Sequence, residues 1–578
     1  MADAPPAQRT DRDLASIQQA RTLARQARAA QATLAEFSQE QIDDVVDAMV
    51  EAVVPQAEVL ARLAHEETGF GNVADKVRKN LFASQRVHEY IRPLRTVGVI
   101  RRIEDKKILE IAEPFGVVAA IIPSTNPTST TIYNALIALK ARCAIVLSPH
   151  PSAERCITRT AEILRDAALR AGAPEHAITW MTGVTLEGTQ ELMKAREVAV
   201  ILATGGMGLV RAAYSAGKPA YGVGPGNAPA YIERTADVAK AARDVMAGKT
   251  FDNGVLCSSE NSVVVDAPIA DAVRSELRAL GAYFLSRDES QALARVLVTP
   301  QRLPNPDCVG KDATVIAKLA GITVPPATRV LIAELEGVGR EHPLSIEKLC
   351  PVLSFYVVKD WQEGCERCKQ ILRYGGMGHT MAIHSANEEV ILQFGLHKPA
   401  FRVIVNSPTT FGSIGMTTGL DPALTLGCGG YGGNITSDNI TPLHLLNVKR
   451  LAYEVRPAIG ETPARSQRTP APPPPAGGPP AGADAASLRT QIDRFLAGRG
   501  IGNPGGESVP AVPIASTSPT APPPPAPIEP VDFACEDDVR RAVRAGRKIH
   551  LAPRAIVTPA ARDLAAAHDV FVFPSDEP

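Results

Sequence analysis

Cys257 combines a reactive side chain with a setting in which that side chain could be used. It lies in the segment 251–260 (FDNGVLCSSE), just before an apolar run that predicts a strand at Val263. A thiol on a turn that leads into a strand can be exposed and oriented, and its thiolate could attack a carbonyl carbon. Taken alone, a single cysteine in an apolar context is more often a small core residue than a nucleophile. Cys257 alone therefore does not indicate a catalytic site, and other residues of such a site have to be identified first.

Asn126 is a second candidate, because it follows a run of apolar residues, 116–123, that predicts a buried strand. Pro123 and Pro127 stiffen the turn between them, so its polar side chains would face the crevice beyond the strand end. The amide of Asn126 could donate a hydrogen bond to a developing oxyanion. On spacing alone, an Asx turn with local hydrogen bonds is the favoured interpretation.

The glycine-containing segment 202–209 (LATGGMGL) predicts a strand that passes through a tight turn into a helix. Close backbone approach and free N–H groups at a helix N-terminus suit a phosphate group. The segment is not the GxGxxG fingerprint, and no acidic ribose ligand is identifiable about twenty residues later. As an isolated motif, the segment indicates little more than a tight turn between a strand and a helix, and it is only weak evidence for a phosphate site.

The order of the motifs is more specific than any one of them. Residues 12–458 resemble the aldehyde dehydrogenase superfamily, and most closely its CoA-acylating branch found in bacterial microcompartments, the propionaldehyde and acetaldehyde dehydrogenases. The matching positions, in family order, are 113–123, 124–127, 148–152, 204–206, Cys257, 347–352, 378–380 and 425–434. The fold implied is α/β and aldehyde dehydrogenase-like, with a Rossmann-type nucleotide domain and an α/β catalytic domain.

The resemblance also implies roles for individual residues. Cys257 is the expected nucleophile, and Asn126 with the Cys257 backbone N–H is the expected oxyanion site. The residues expected to bind the nucleotide cofactor are Thr125, Ser148, His150, Pro151, Thr204, Gly205, Gly206 and Glu347. Glu347 matches the residue that holds the nicotinamide ribose. NAD is the expected cofactor and coenzyme A the co-substrate, while Ser148 stands where many relatives have lysine and leaves NADP open. No metal is expected.

One departure from the wider family bears on the reaction. Hydrolytic aldehyde dehydrogenases carry a glutamate in a Glu-Leu-Gly-Gly segment, whereas residues 221–229 here read YGVGPGNAP, with no carboxylate. Without a general base, which typically contributes about 10²–10⁴-fold, water attacks a thioester poorly. A thiol needs less help because sulfur is intrinsically nucleophilic. The expected route is therefore attack by Cys257 on a short-chain aldehyde, hydride transfer, and release of the acyl group to coenzyme A.

Two alternatives stay open. A hydrolytic enzyme with an unusual base would release a free acid. A chain with an inert dehydrogenase body could instead serve mainly to organise other cargo proteins. The sequence sets neither the direction of the reaction nor the length of the aldehyde, since one methylene is worth only about 1–3 kcal/mol in a pocket.

The elements that must position these residues alternate between apolar strands and helices, which predicts parallel strands buried on both faces. Residues 12–65 read as amphipathic helices and 97–113 as a two-stranded oligomerisation arm, from which analogy suggests a homodimer or homotetramer. The predicted divisions are 1–230 for the N-terminal helices and nucleotide domain, 231–420 for the catalytic domain, 421–458 for a return to the nucleotide domain with oligomerisation strands, 459–483 and 500–530 for Pro-rich linkers, 484–499 for an amphipathic helix, and 531–578 for a small α/β module.

The tail shows a sharp change of composition between Pro463 and Pro530, where 18 of the 48 prolines lie. Such runs cannot build a packed core. Within 484–499, the apolar residues Leu488, Ile492, Phe495 and Leu496 fall on one helical face. This design resembles the encapsulation peptides of microcompartment enzymes and implies shell or other cargo proteins as partners. The alternative is a helix that folds back on the parent domain.

Composition excludes several classes of protein. The 578-residue chain has a formal charge of -1, from 61 basic and 62 acidic residues, so we expect neither nucleic acid nor a membrane as a partner. Nine cysteines without paired spacing indicate reduced thiols. The first residues lack the apolar core of a signal peptide. We therefore expect a cytoplasmic protein, and the resemblance of the tail implies that it lies inside a bacterial microcompartment.

Two further features favour structural interpretations. Cys365 and Cys368 have metal-like spacing but no second pair, so zinc is disfavoured. His379 and His384 lie in a family-like segment, yet satisfied structural histidines are the favoured interpretation.

Overall fold

The computed structural model describes residues 6–456, 531–568 and 570–572. The predicted helix at 484–499 and the two linkers beside it lie outside the described residues. The chain divides into two compact units, Met1–Ala464 and Arg465–Pro578.

Unit 1 contains helices and strands that alternate along most of its length. Its helices are α1 Pro6–Leu34, α2 Gln39–Val53, α3 Ala57–Thr68, α4 Val73–Leu81, α5 Val87–Ile91, α6 Pro127–Lys140, α7 Glu154–Arg170, α8 Leu186–Lys194, α9 Met207–Tyr214, α10 Val238–Thr250, α11 Ala270–Ala279, α12 Arg287–Leu297, α13 Ala313–Leu319, α14 Trp361–Gly375, α15 Glu388–His397 and α16 Thr409–Gly412. Its strands are β1 Gly98–Ile103, β2 Ile108–Pro114, β3 Val117–Ile122, β4 Ile145–Pro149, β5 Ile178–Trp180, β6 Val198–Thr204, β7 Ala220–Val223, β8 Ala228–Ile232, β9 Glu260–Asp266, β10 Ala282–Phe284, β11 Val330–Glu334, β12 Val352–Val358, β13 Gly378–His384, β14 Ala400–Val405 and β15 Leu446–Ala452.

The first parallel sheet has the strand order β5-β4-β3-β6-β7. Its central strand, β3, is apolar throughout and buried on both faces, as the run at 116–123 predicts. Two of the N-terminal helices, α2 and α4, begin at side-chain caps. At the start of α2, for example, Ser38 and Gln41 form a reciprocal capping box. The predicted helical character of 12–65 is confirmed by α1, α2 and α3.

The second sheet is also parallel and has the order β10-β11-β12-β9-β8-β13-β14. Every residue of β9 is buried, so the chain enters the middle of this sheet directly after Cys257. The predicted α/β fold with buried parallel strands is confirmed, and the structure divides these strands between two sheets.

A three-stranded antiparallel sheet, in the order β1-β2-β15, stands apart from the two parallel sheets. β1 and β2 form the two strands predicted for 97–113, and they are joined by a turn at Glu104–Lys106. β15 pairs along β2, from Leu446 opposite Pro114 to Ala452 opposite Ile108. Six of the seven residues of β15 are exposed.

The second unit contains β16 Val531–Ala534, α17 Glu536–Arg544, β17 Ile549–Val557, α18 Pro559–His568 and β18 Phe571–Val572. The three strands form a parallel sheet in the order β16-β17-β18. The sequence pattern predicts only a short strand at 548–551 in this region, whereas the structure has the nine-residue β17 and adds β16. Pro553 lies inside β17 at an irregularity of the pairing with β16, and proline is tolerated within strands at such places.

Among the described residues, no helix is both long enough and apolar enough to cross a bilayer.

Candidate active site

The topology brings three of the predicted segments to one edge of the first sheet. Asn126 follows β3, His150 follows β4 and Gly205 follows β6, and these three strands are neighbours in the order β4-β3-β6. Because parallel strands end at the same edge, the three segments share the crevice where the strand order reverses. The sequence predicted each segment, and the order of the strands places the three segments at the same edge of the sheet.

Thr204, Gly205 and Gly206 join the end of β6 to the start of α9. The hydroxyl oxygen of Thr204 is buried and has no hydrogen-bond partner in the described part of the chain. At Gly206, a Cβ atom would meet open space. An unpaired hydroxyl beside a helix N-terminus fits the diphosphate of a dinucleotide cofactor, which accepts hydrogen bonds from such groups.

The other predicted cofactor residues differ in how accessible they are. His150 and Pro151 are exposed, and the Nδ1 atom of His150 accepts a hydrogen bond from the Ser152 N–H at 3.2 Å. Ser148 is buried, and its hydroxyl lies 2.9 Å from that of Thr189. The Ser148 hydroxyl is thus already hydrogen-bonded within the protein.

The side chain of Asn126 is held by a lysine from α4. Nζ of Lys79 donates to Oδ1 of Asn126 at 2.6 Å, and the Asn126 amide N–H donates to Thr125 Oγ1 at 3.2 Å. The Lys79 ammonium can only donate, so it holds the acceptor Oδ1 on its own side and leaves the Nδ2 group, which has two N–H donors, directed elsewhere. Lys79 therefore fixes the orientation of the Asn126 amide group.

Lys79 belongs to a buried charge cluster. It also pairs with Asp252, whose Oδ2 lies 3.1 Å from Nζ of Lys76. Burial lowers the pKa of Lys79 to about 8, although Asp252 opposes the shift. For Asp252, burial raises the pKa, but Lys79 and Lys76 outweigh it and hold the pKa below its usual range.

Cys257 lies on the turn before β9, and Nε2 of His379 lies 3.2 Å from its Sγ atom. His379 is the second residue of β13, and its Nδ1 lies 3.0 Å from the Thr380 hydroxyl. Burial, together with the nearby Arg402, lowers the pKa of His379 to about 3. The imidazole is therefore neutral. The interpretation of His379 as a structural histidine is incomplete, because the strand directs its ring at the candidate nucleophile.

The Cys257 sulfur is a thiol in this site. Burial raises its pKa to about 12, with Glu347 and Cys428 acting in the same direction and Arg402 against them. The thiolate that the sequence suggested is thus not the resting form of Cys257. A thiol with this pKa needs a base at the moment of attack, and His379 is within reach.

Gly226, in the segment between β7 and β8, lies directly against Cys257. A Cβ atom at this position would lie 1.8 Å from the Cys257 carbonyl oxygen and 3.2 Å from Nδ1 of His379. The Gly226 N–H donates to Oε1 of Glu347 at 2.7 Å. The segment 221–229, which has no carboxylate, therefore contacts the nucleophile directly at Gly226. The carboxylate near Cys257 belongs to Glu347. Burial raises the pKa of Glu347 to about 7.

Arg402, on β14, is a site residue that the sequence reasoning missed. Its guanidinium is 3% exposed and hydrogen-bonds to Thr380, Gly427, Ser437 and Asn439, none of which is a carboxylate. Burial lowers its pKa, while Cys428 and Cys257 raise it. A buried cation that has no ion pair within the described part of the chain can stabilise negative charge that develops nearby. The alternation of apolar and polar residues in β14 does not distinguish Arg402 from an ordinary polar residue of a strand.

Comparisons with known proteins agree with this geometry. The profile of the Aldehyde dehydrogenase family matches residues 9–283. The succinate-semialdehyde dehydrogenase (acetylating) of Clostridium kluyveri is 38% identical over 75% of this chain and 95% of its own length. The aldehyde-alcohol dehydrogenase of Streptococcus pneumoniae serotype 4 is 45% identical over 68% of this chain. That match covers 45% of the relative, so the chain spans about half the length of this relative.

Solved structures show the same likeness. An acetylating aldehyde dehydrogenase from Geobacillus thermoglucosidasius superimposes with a TM-score of 0.76 and 51% identity, over 77% of this chain and 98% of that one. A more distant neighbour is a propionaldehyde dehydrogenase from the Clostridium phytofermentans fucose utilisation bacterial microcompartment. Its TM-score is 0.67 and its identity 29%, over 74% of this chain and 96% of its own.

Proposed function

The chain belongs to the aldehyde dehydrogenase family, and from this premise we propose that it is an oxidoreductase that converts a short-chain aldehyde, NAD and coenzyme A to an acyl-CoA and NADH. The observation that carries the proposal is the 3.2 Å contact between the Cys257 thiol and the neutral imidazole of His379. The absence of a carboxylate from the Gly226 segment beside it favours coenzyme A over water as acyl acceptor.

In the first step, Sγ of Cys257 bonds to the aldehyde carbon while its proton passes to Nε2 of His379. Because an imidazolium is unfavourable in this buried position, the transfer is concerted with formation of the carbon–sulfur bond. The alkoxide that forms offsets the new positive charge. Nδ2 of Asn126 and the Cys257 backbone N–H are assigned to this oxyanion, and Lys79 keeps the amide in the donating orientation.

Residues at the edge of the first sheet would hold the dinucleotide, with Thr204, Gly205 and Gly206 at its diphosphate and His150 and Pro151 on the adenosine side. Thr125, Ser148 and Glu347 complete the proposed set. When bound, NAD accepts the hydride that leaves the carbon attached to Cys257. NADP stays an alternative, because the buried Ser148 replaces the lysine found in many relatives.

In the last step, the thiol of coenzyme A attacks the Cys257 thioester. The proton that His379 took from Cys257 first leaves to solvent, since the net reaction releases one proton. The neutral imidazole can then take the proton of the coenzyme A thiol and return it to Cys257 as Cys257 leaves. A thiol nucleophile suits this site because it needs less base assistance than water does.

The test follows NADH formation by the purified full-length protein with NAD and propionaldehyde, with and without coenzyme A. We expect sustained turnover only with coenzyme A, and one burst of NADH per site without it. Sustained turnover to free acid without coenzyme A would contradict the proposal.

Hydrolysis is the second candidate, and Glu347 is the observation that favours it. Its carboxylate, with a pKa of about 7, lies close enough to Cys257 to raise the pKa of the thiol. Glu347→Gln keeps an oxygen that can accept a hydrogen bond from the nicotinamide ribose. If hydrolysis occurs, this variant should abolish release of free acid while the NADH burst persists at saturating NAD.

We further propose that residues 484–499 attach the enzyme to shell or other cargo proteins of a microcompartment. The support is their amphipathic pattern between Pro-rich segments, together with the microcompartment origin named for the Clostridium phytofermentans neighbour. Deleting 484–499 should leave turnover in solution unchanged and disperse the enzyme from its compartment. Unchanged co-localisation would contradict the proposal.

A homodimer or homotetramer is proposed as the assembly. The support is the exposed strand β15 at the edge of the three-stranded sheet, where Val448 and Leu451 are exposed. Light scattering on the purified protein measures the assembly directly, and a monomer at micromolar concentration would contradict it.

A further inference from the structure

Lys398 and Cys365 approach each other more closely than an ordinary polar contact allows. Nζ of Lys398 lies 2.5 Å from Sγ of Cys365. N–H···O hydrogen bonds are about 2.7–3.2 Å long, and sulfur is larger than oxygen, so an N–H···S hydrogen bond is longer still. A single oxygen atom bonded to both would hold nitrogen and sulfur at a separation of this kind.

The surroundings fix both groups in place. Cys365 lies on α14 and Lys398 directly follows α15, and the two are 6% and 7% exposed. Nζ of Lys398 lies 3.5 Å from the centroid of the Phe394 ring, which in turn stacks on Tyr231. In the described part of the chain, the hydrogen bond to Cys365 is the only one that this amine donates.

We propose that Cys365 and Lys398 form a reversible oxidative cross-link through one bridging oxygen, Sγ–O–Nζ, with hydrogen peroxide as the oxidant. One peroxide converts the thiol to a sulfenic acid and releases water. A second peroxide accepts two electrons as the amine nitrogen bonds to the sulfenyl oxygen, and the N–H and O–H protons leave as two further waters. Sulfur and nitrogen each lose two electrons. A thiol reductant restores the thiol and the amine and releases the bridging oxygen as water.

The site favours this product over the usual fates of an oxidised cysteine. Cys365 is 6% exposed, so a molecule as large as glutathione has little access to it. Cys368 stands three residues further along the same helix, where Cβ atoms are about 5–6 Å apart. A disulfide needs Cβ atoms about 3.5–4.5 Å apart, so this pair does not meet its geometry. The amine of Lys398 is thus the nucleophile closest to an oxidised Cys365.

The cross-link joins two elements that lead into strands of the candidate active site. α14 precedes β13, which carries His379, and Lys398 precedes β14, which carries Arg402. Oxidation therefore links the elements that precede the strands of His379 and Arg402, and it changes neither of these two side chains. The proposal does not rest on the proposed function, because it concerns side chains outside that site.

The test is peptide mapping of the full-length protein after treatment with hydrogen peroxide, with and without later reduction by dithiothreitol. Trypsin cleaves after Lys359, Arg367 and Arg373, which puts Cys365 in peptide 360–367 and Lys398 in peptide 374–402. We expect a linked species about 14 Da heavier than the sum of the two peptides, from one oxygen gained and two hydrogens lost. Dithiothreitol should return both peptides at their original masses.

Matched variants identify the partners. Cys365→Ser and Lys398→Arg should each abolish the linked species, whereas Cys368→Ser should retain it, because Cys368 falls in a separate dipeptide. Unchanged melting temperatures verify that the variants fold. The proposal is overturned if Cys365 is recovered only as unlinked sulfinic or sulfonic acid, if it pairs with Cys368, or if the link survives dithiothreitol.

Discussion

Nε2 of His379 lies 3.2 Å from Sγ of Cys257, and neither group is charged at neutral pH. The pKa of the imidazole is lowered to about 3, and that of the thiol is raised to about 12. The pair is therefore a thiol beside a neutral base rather than a preformed thiolate–imidazolium pair. Its proton has to move while the bond to carbon forms, so the geometry of the contact matters more than the resting charges.

Replacing His379 with alanine should slow acyl transfer to coenzyme A by about 10²–10⁴-fold, because general base catalysis typically contributes that much. The fall should appear in kcat more than in KM, since the imidazole handles a proton and does not anchor the aldehyde. Steady-state rates of NADH formation at saturating coenzyme A measure the effect. His384→Asn is the matched control, because His384 is also buried and neutral on the same strand but contacts Asp244 instead of Cys257. Equal losses in the two variants would contradict the assigned role.

Lys79→Met should lower kcat by about 10–100-fold, which is somewhat less than the loss caused by removing an oxyanion donor itself. The amide of Asn126 remains, but Oδ1 loses the cation that holds it, so the amide can turn its carbonyl toward the oxyanion. KM for the aldehyde should change little. Burial lowers the pKa of Lys79 to about 8. A change in kcat near pH 8 that results from deprotonation of Lys79 in the parent enzyme should therefore be absent from the variant.

Lys76→Met separates this role from general stabilisation of the charge cluster. Lys76 also contacts Asp252, at 3.1 Å, but its hydrogen bonds do not include Asn126. We expect its melting temperature to fall as in Lys79→Met while kcat stays close to that of the parent. Equal kcat values for the two variants would show that Lys79 acts only through Asp252.

The strands of the site could be predicted from the sequence, because parallel strands buried on both faces are continuous apolar runs. The runs at 116–123, 198–202 and 261–265 correspond to β3, β6 and β9. The turns after them could be located for the same reason, since each begins where the apolar run ends. Their mutual distances depend on the order of the strands in the sheet, which local patterns do not encode.

His379, Arg402 and Lys79 show why the rest of the site was missed. Each comes from an element far along the chain from the residue that it contacts, and each looks locally like a structural or solvated residue. Lys79 lies on a short helix where a lysine would ordinarily face solvent, yet it is 2% exposed and meets Asn126 across 47 residues of sequence. Such contacts exist only after the helical layer packs on the sheet.

Glu260 should make the stability of the protein depend on pH. Burial raises its pKa to about 7, so the folded protein holds a proton that the unfolded chain releases near its ordinary pKa. The stabilisation from this group is complete below pH 4.5 and is lost as the pH rises through about 7. Glu260→Gln keeps an oxygen acceptor for the Thr409 N–H. The variant should therefore gain about 3 kcal/mol relative to the parent between pH 5 and pH 8. Melting temperatures across this range measure the difference, and a constant offset would contradict the prediction.

Gly226→Ala should inactivate the enzyme without unfolding it. The added Cβ would lie 1.8 Å from the Cys257 carbonyl oxygen, so the turn that carries the nucleophile must move and the contact with His379 is lost. We expect kcat to fall at least 10²-fold, as misplacement of a reacting group by about 1 Å can cost that much. Gly375→Ala is the control, because its Cβ would meet only Nδ2 of Asn227, at 3.9 Å. Circular dichroism verifies the fold of both variants, and parent-like turnover by Gly226→Ala would mean that the 224–227 segment can retreat from Cys257.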